Sequence, residues 1–115
     1  MRAAIYARYS TVLQSDRSIE DQVELCRSYL SREGYAEVAV FEDRAMTSET
    51  VIGRVGLAQL LEAARDRKFD AVVVECVDRI SRDSGDLHQV SKLLRFSEVD
   101  IVSANEGVQS EIQIG

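Results

Sequence analysis

Ser10 is a hydroxyl set among permanent cations. The run Tyr6-Ala7-Arg8-Tyr9-Ser10-Thr11 closes the first apolar segment, and Asp78-Arg79-Ile80-Ser81-Arg82-Asp83 closes a later one. A hydroxyl nucleophile beside several guanidinium groups suits attack on a phosphodiester. The cations can hold the scissile phosphate and offset the charge that builds on it. Arg8 lies two residues before Ser10, on the same side of an extended segment. Arg79 and Arg82 are spaced i, i+3, which a helical turn would put on one face. Arg54 opens the second predicted helix, where backbone N–H groups also favour an anion. Asp78 could orient an arginine or carry a proton. Gln14 and Gln22 are neutral donors for phosphate oxygens or for the serine hydroxyl. Plain solvent exposure is the competing reading, and for Gln22, on the second turn of a helix, both readings stand.

For any single arginine the alternative is a solvated surface residue or an ordinary ion pair, since the chain holds 14 Lys and Arg. That alternative weakens where several gather at the ends of strands and helices. Ser48 and Ser81 fit loop and turn hydrogen bonding better than nucleophilic attack. His88, the single histidine, falls on a helix at or beyond the edge of its apolar face, so a Ser-His-Asp hydrolase is poorly supported. One His and two separated Cys do not make a tetrahedral zinc set. There is no Walker A loop and no dinucleotide-binding glycine fingerprint, so neither ATP, nicotinamide nor metal is expected as a cofactor. Glu42, Asp43 and Glu75 are read as solvated loop carboxylates rather than magnesium ligands.

The elements that must position these residues alternate in period. Ala3-Ala4-Ile5-Tyr6-Ala7 reads as a buried strand. Ser18 is an N-cap with Asp21 three positions on. Ile19, Val23, Cys26 and Leu30 follow at helical spacing, and Gly34 supplies the stop. Val38-Ala39-Val40-Phe41 is a second strand, and residues 43–53 are a polar loop. Leu57, Leu60, Leu61 and Ala64 mark a second helix. Ala71-Val72-Val73-Val74 is a third strand, apolar on both faces. Leu87, Val90, Leu93 and Leu94 mark a third helix, and residues 99–102 a fourth strand. This order implies an α/β fold, a mainly parallel sheet of about four to five strands flanked by helices. Such sheets bind ligands beyond the carboxyl ends of their strands. With the first and third strands parallel, Arg8 and Ser10 reach the same sheet edge as Asp78, Arg79 and Arg82.

A length of 115 residues fits one domain with one core. The chain is 45% hydrophobic and 30% charged, with no apolar run long enough to span a bilayer, and Arg2 is followed by no extended apolar stretch with a small-residue cleavage site, so secretion is not expected. Cys26 and Cys76 both sit in apolar patterns and read as reduced, buried thiols, which makes the cytoplasm the default location. The net charge of −6 disfavours nonspecific nucleic-acid binding, because Lys and Arg supply most of that affinity. If DNA is the substrate, this segment performs chemistry and most of the grip comes from elsewhere.

These residues resemble the catalytic domain of serine recombinases, the resolvase, invertase and large serine integrase group. The resemblance covers nearly all of the chain. It rests on Tyr6 to Thr11, Gln14, and Ser18-Ile19-Glu20-Asp21-Gln22, and on Asp78 to Asp83 preceded by Val72-Val73-Val74. It implies that Ser10 attacks a DNA phosphodiester, forming a 5′-phosphoserine link and freeing a 3′-hydroxyl. Arg8, Arg79 and Arg82 would hold and polarise the phosphate, and Arg54 would match an arginine between the second strand and the second helix. Asp78 would orient the arginines or assist proton transfer. The covalent link conserves the bond energy, so the resemblance implies no cofactor. It also implies DNA as partner, dimers or tetramers in the full-length protein, and a source in a mobile element or prophage.

Three departures stand out. Asp43-Arg44-Ala45-Met46-Thr47-Ser48-Glu49 lacks the Ser-Gly usual in that loop, and Arg54-Val55-Gly56 replaces Arg-Pro-Gly. The chain, one catalytic domain over 1–115, ends at Glu111-Ile112-Gln113-Ile114-Gly115, without the long dimerisation helix and DNA-binding domain of the family. Such a piece would keep the active-site residues and lose stable assembly and site recognition. The alternatives are a truncated, non-catalytic module that binds full-length partners and a phosphate-handling hydrolase on a similar sheet.

Overall fold

Residues 3–7 are apolar without a break, which suits a strand covered on both faces. The computed structural model describes residues 1–9, 18–44, 55–81, 84–105 and 107–108. In it this segment lies in β1 (Arg2–Tyr9), where every residue from Ala3 to Arg8 is buried. The chain continues through α1 (Ile19–Glu33), β2 (Ala36–Arg44), α2 (Val55–Arg65) and β3 (Ala71–Val74). A 3-10 turn at Val77–Arg79 precedes α3 (Ser84–Phe96), β4 (Asp100–Ser103) and a short β5 (Gly107–Val108).

The strands lie in the order β2-β1-β3-β4-β5. The first four are parallel, and β5 runs antiparallel to β4. The chain steps outward from β1 to β2, then returns past β1 to β3 and β4. Parallel crossovers are right-handed, so this reversal sends α1 to one face and the next two helices to the other. The core divides accordingly. Ala3, Ile5, Val73 and Val102 pack with Cys26 and Leu30 of α1. Ala4, Tyr6, Val72 and Ile101 pack with Leu57 and Leu60 of α2 and with Val90 and Leu94 of α3. Alternation along β1 thus feeds two separate apolar layers.

Helix α1 begins and ends where the sequence says. The Ser18 hydroxyl accepts a hydrogen bond from the Asp21 N–H at 3.1 Å. Gly34 takes φ +81°, and its N–H donates to the Leu30 carbonyl. Elsewhere the structure extends the expectations. β2 is longer than residues 38–41, and its end absorbs Asp43 and Arg44 from the expected polar loop. β4 starts one residue later than expected, after a buried Val99. β5, two residues long, is too short to leave a periodic signal. Gly56 faces the Glu42 carbonyl so closely that a Cβ there would collide with it. α2 can therefore dock on the end of β2 only with glycine at this position.

Among the described residues, no helix is long and apolar enough to cross a membrane.

Candidate active site

The segments that carry two of the predicted cations meet at the point where the strand order reverses. β1 and β3 are neighbours in the sheet but lie on opposite sides of the change in chain direction, which is where open α/β sheets bind ligands. Arg8 is the penultimate residue of β1, and Arg79 ends the 3-10 turn that follows β3. The Arg8 Nη2 donates to the backbone carbonyl of Asp78 at 3.3 Å. The two motifs, seventy residues apart in sequence, are joined by this bond.

Arg8 is held by its main chain. The β1–β3 ladder ends at Ile5↔Val73, and Gln22 takes over farther along. Its Oε1 accepts from the Arg8 N–H at 3.1 Å, and its Nε2 donates to the Arg8 carbonyl at 2.9 Å. Gln22 is 0% exposed and Arg8 is 5% exposed. Buried backbone groups need partners, and a glutamine carries one donor and one acceptor at the right separation to serve both. Gln22 is thereby a positioning group for Arg8, reached from the second turn of α1.

Arg79 is held by its guanidinium. Its Nε and Nη2 both donate to Glu75 Oε1, at 3.0 and 2.8 Å. The two side chains are 8% and 6% exposed. Glu75 is not the solvated carboxylate expected from the sequence. It directly follows β3, where the strand's burial carries one residue farther, and the buried cation satisfies its charge. Asp78, the acid expected to orient the arginines, has an exposed side chain and contributes its carbonyl to Arg8.

Asp43 also departs from the solvated reading. Its Oδ2 accepts from the Tyr6 hydroxyl at 2.6 Å and from the Leu57 N–H at 3.0 Å. Its Oδ1 accepts from the Gly56 N–H at 2.8 Å. A carboxylate at the end of β2 therefore caps the first turn of α2, where the helix dipole favours negative charge. It fixes the start of the helix that Arg54 immediately precedes. Ser10, Gln14, Arg54 and Arg82 lie outside the described residues, as does Ser48.

The remaining candidates fall where their plainer readings put them. Ser81 is buried, with its N–H directed to the Val77 carbonyl at 3.3 Å. His88 is exposed. Both cysteines are free thiols. Cys26 is buried and its Sγ donates to the Val73 carbonyl at 3.8 Å. Burial first, with the Glu75 charge second, pushes the Cys26 thiol up to about 12. Cys76 is half-buried and is raised less, again by burial.

Glu75, Asp43 and Tyr6 are the functional supports that the sequence reading missed. Glu75 had a usable signal, an acid four residues before an arginine and at the mouth of a buried strand. Tyr6 had another, a hydroxyl inside an apolar run that needs a partner when buried.

Comparisons with known proteins agree with this fold. The sequence profile described as "Resolvase, N terminal domain" matches residues 3–114. Among solved structures, the chain is similar to the N-terminal catalytic domain of TP901-1 integrase. That match has 25% identity and a TM-score of 0.83, and it covers 98% of this chain and 85% of the other. The chain is also similar to the C-terminal catalytic domain of ISC1926 TnpA, an IS607-like serine recombinase. Here the identity is 30% and the TM-score 0.76, over 90% of this chain and 67% of the other. A resolvase family site-specific recombinase from Streptococcus pneumoniae shares the fold at 20% identity and a TM-score of 0.81, over 96% and 77% of the two chains. No curated protein sequence matched. With its profile match running almost from end to end, the chain belongs to the family of the resolvase N-terminal domain, the catalytic domain of serine recombinases.

Proposed function

We propose that this domain cuts and rejoins DNA at a recombination site through Ser10. The Ser10 Oγ gives up its proton and attacks the phosphorus, the P–O3′ bond breaks, and the departing 3′ oxygen takes up a proton, so that none is gained or lost overall. The phosphate stays on the serine as a 5′-phosphoserine. Attack by a 3′-hydroxyl on that ester reseals the strand and returns the serine, so bond energy is conserved throughout. Arg8, Arg79, Arg82 and Arg54 hold the phosphate and stabilise the charge on its oxygens. Gln14 contacts the phosphate or the serine, and Gln22 serves binding by holding Arg8. Asp78 assists at the arginines or in proton transfer. The whole chain forms one catalytic domain, and stable assembly and site recognition come from parts outside it. The net charge of −6 supports that division of labour.

The observation that supports this reading is the bond from Arg8 Nη2 to the Asp78 carbonyl, which joins the end of β1 to the turn that carries Arg79. Ser10→Ala tests it. In a full-length protein the variant should lose the covalent protein–DNA adduct that the parent forms on its recombination site. An adduct that persists in Ser10→Ala places the nucleophile elsewhere and overturns the assignment.

A further inference from the structure

We infer that Glu75 is a positioning residue for Arg79, a buried acid that fixes the orientation in which this guanidinium receives a phosphate. The inference rests on the reading of Arg79 as a phosphate ligand.

Glu75 is itself a fixed point. Its carbonyl accepts from the Ser103 hydroxyl at 3.1 Å and from the Asn105 N–H at 3.3 Å. The preceding Val74 carbonyl accepts from the Ala104 N–H at 2.7 Å. The end of β4 thus locks the main chain at the point where β3 gives way to the turn. Arg79 starts from a weaker base, since it ends a 3-10 turn of three residues. An arginine on so short a turn has several side-chain torsions to lose before it can make a directional contact. The two bonds to Glu75 Oε1 remove that freedom before any ligand arrives.

Asp78, which the motif offers for the task, is exposed and lends only its carbonyl, to Arg8.

A carboxylate beside an anion site also carries a cost, and the sign of its removal separates two readings. An acid that is only a nearby charge weakens phosphate binding, so its deletion should strengthen it. An acid that positions the cation should, on deletion, weaken phosphate binding despite the gain in net positive charge.

The test uses the 115-residue chain with inorganic phosphate as the probe. Binding is followed by NMR, together with the solvent exchange of the Arg79 Nε–H. We expect a slowly exchanging Arg79 Nε–H in the parent without phosphate. Glu75→Ala should weaken phosphate binding by about five- to tenfold. Glu75→Gln keeps an oxygen acceptor for the fork and should hold the affinity within about twofold, with the slow exchange retained. Phosphate binding that is unchanged or tighter in Glu75→Ala overturns the proposal. If Glu75→Ala does not fold, rapid Arg79 Nε–H exchange in the parent, or loss of affinity in Glu75→Gln, overturns it instead. Arg79→Lys distinguishes the two levels. Undiminished phosphate binding in that variant, with a slowly exchanging Arg79 Nε–H in the parent, overturns the reading of Arg79 as a ligand while the clamp stands.

Discussion

Two arginine–glutamate pairs have nearly the same donor–acceptor distances in opposite surroundings, the surface one spread over both carboxylate oxygens and the buried one converging on Glu75 Oε1 alone. On the surface, Arg27 Nε and Nη2 donate to Glu37 at 2.8 and 3.1 Å. Beside the candidate site, Arg79 Nε and Nη2 donate to Glu75 at 3.0 and 2.8 Å. The side chains of the first pair are 52% and 32% exposed, and those of the second 8% and 6%. Distance therefore says little about what a fork is worth, and burial decides it. Water competes for both partners of the exposed pair, whereas loss of either buried partner strands a charge in the protein. The surface fork ties α1 to β2. The buried one sets the direction of a cation that the proposed chemistry uses.

The largest expected effect belongs to the buried pair. Glu75→Ala should destabilise the fold by about 3–5 kcal/mol, because it removes a buried charge pair's carboxylate and both of the bonds it accepts from Arg79. Denaturant unfolding measures this, and a cost below about 1 kcal/mol would make the two forks equivalent. Arg79→Lys keeps the charge but cannot present Nε and Nη2 together. DNA cleavage should fall by about a hundredfold or more while the circular dichroism spectrum stays that of the parent. Near-normal cleavage would reduce Arg79 to a structural partner of Glu75.

Gln22→Ala sharpens the contrast between a cation held by its side chain and one held by its backbone. It removes the bonds that Gln22 makes to the buried N–H and carbonyl of Arg8, at a cost of about 2–4 kcal/mol. Gln22→Glu should recover only part of that, since it restores the acceptor and not the donor. Equal stability of the two variants would show that Arg8 does not depend on the Gln22 amide.

Cys26 tests burial without an ion pair. Its thiol titrates at about 12 in the fold, against an ordinary value of 9.0. The folded state thus holds the proton more tightly than the unfolded chain. The stability this contributes is complete below about pH 9 and declines as pH rises toward 12. At pH 8 iodoacetamide should label Cys76 well before Cys26, and equal rates would contradict the burial. The smallest effect belongs to the surface fork. Glu37→Ala should cost less than about 1 kcal/mol and should matter less still in high salt. Arg27 holds the Glu37 carboxyl below its usual range by hydrogen bonding. The pair's contribution is present above the ordinary carboxylate pKa and is lost as pH falls through the lowered one. Stability that did not change through that acid range would show that the fork contributes nothing even there.

Much of the fold was legible in the residues. The unbroken apolar run from Ala3 to Ala7 could only be a strand with two covered faces, and Ser18 and Gly34 bounded α1 by chemistry that needs no distant partner. The site was legible in part. Arg8 and Arg79 lie at the ends of predicted elements, and the parallel sheet brings the end of β1 to the turn that carries Arg79. Glu75, Asp43 and Gln22 were less legible because their roles depend on what is not near them in sequence. Asp43 reads as the start of a polar loop until β2 is seen to run beneath α2. Glu75 reads as a surface acid until β4 is seen to cover its main chain.

By itself the sequence determined the period of each segment, the caps of α1, and which residue types were available for phosphate chemistry. These follow from local sterics and from apolar spacing, which act over a few residues. Only the tertiary structure decided which carboxylates are solvated and which are buried, which amide holds a backbone, and which acid holds a cation. Those outcomes depend on desolvation, and desolvation at one residue is set by chain segments tens of positions away.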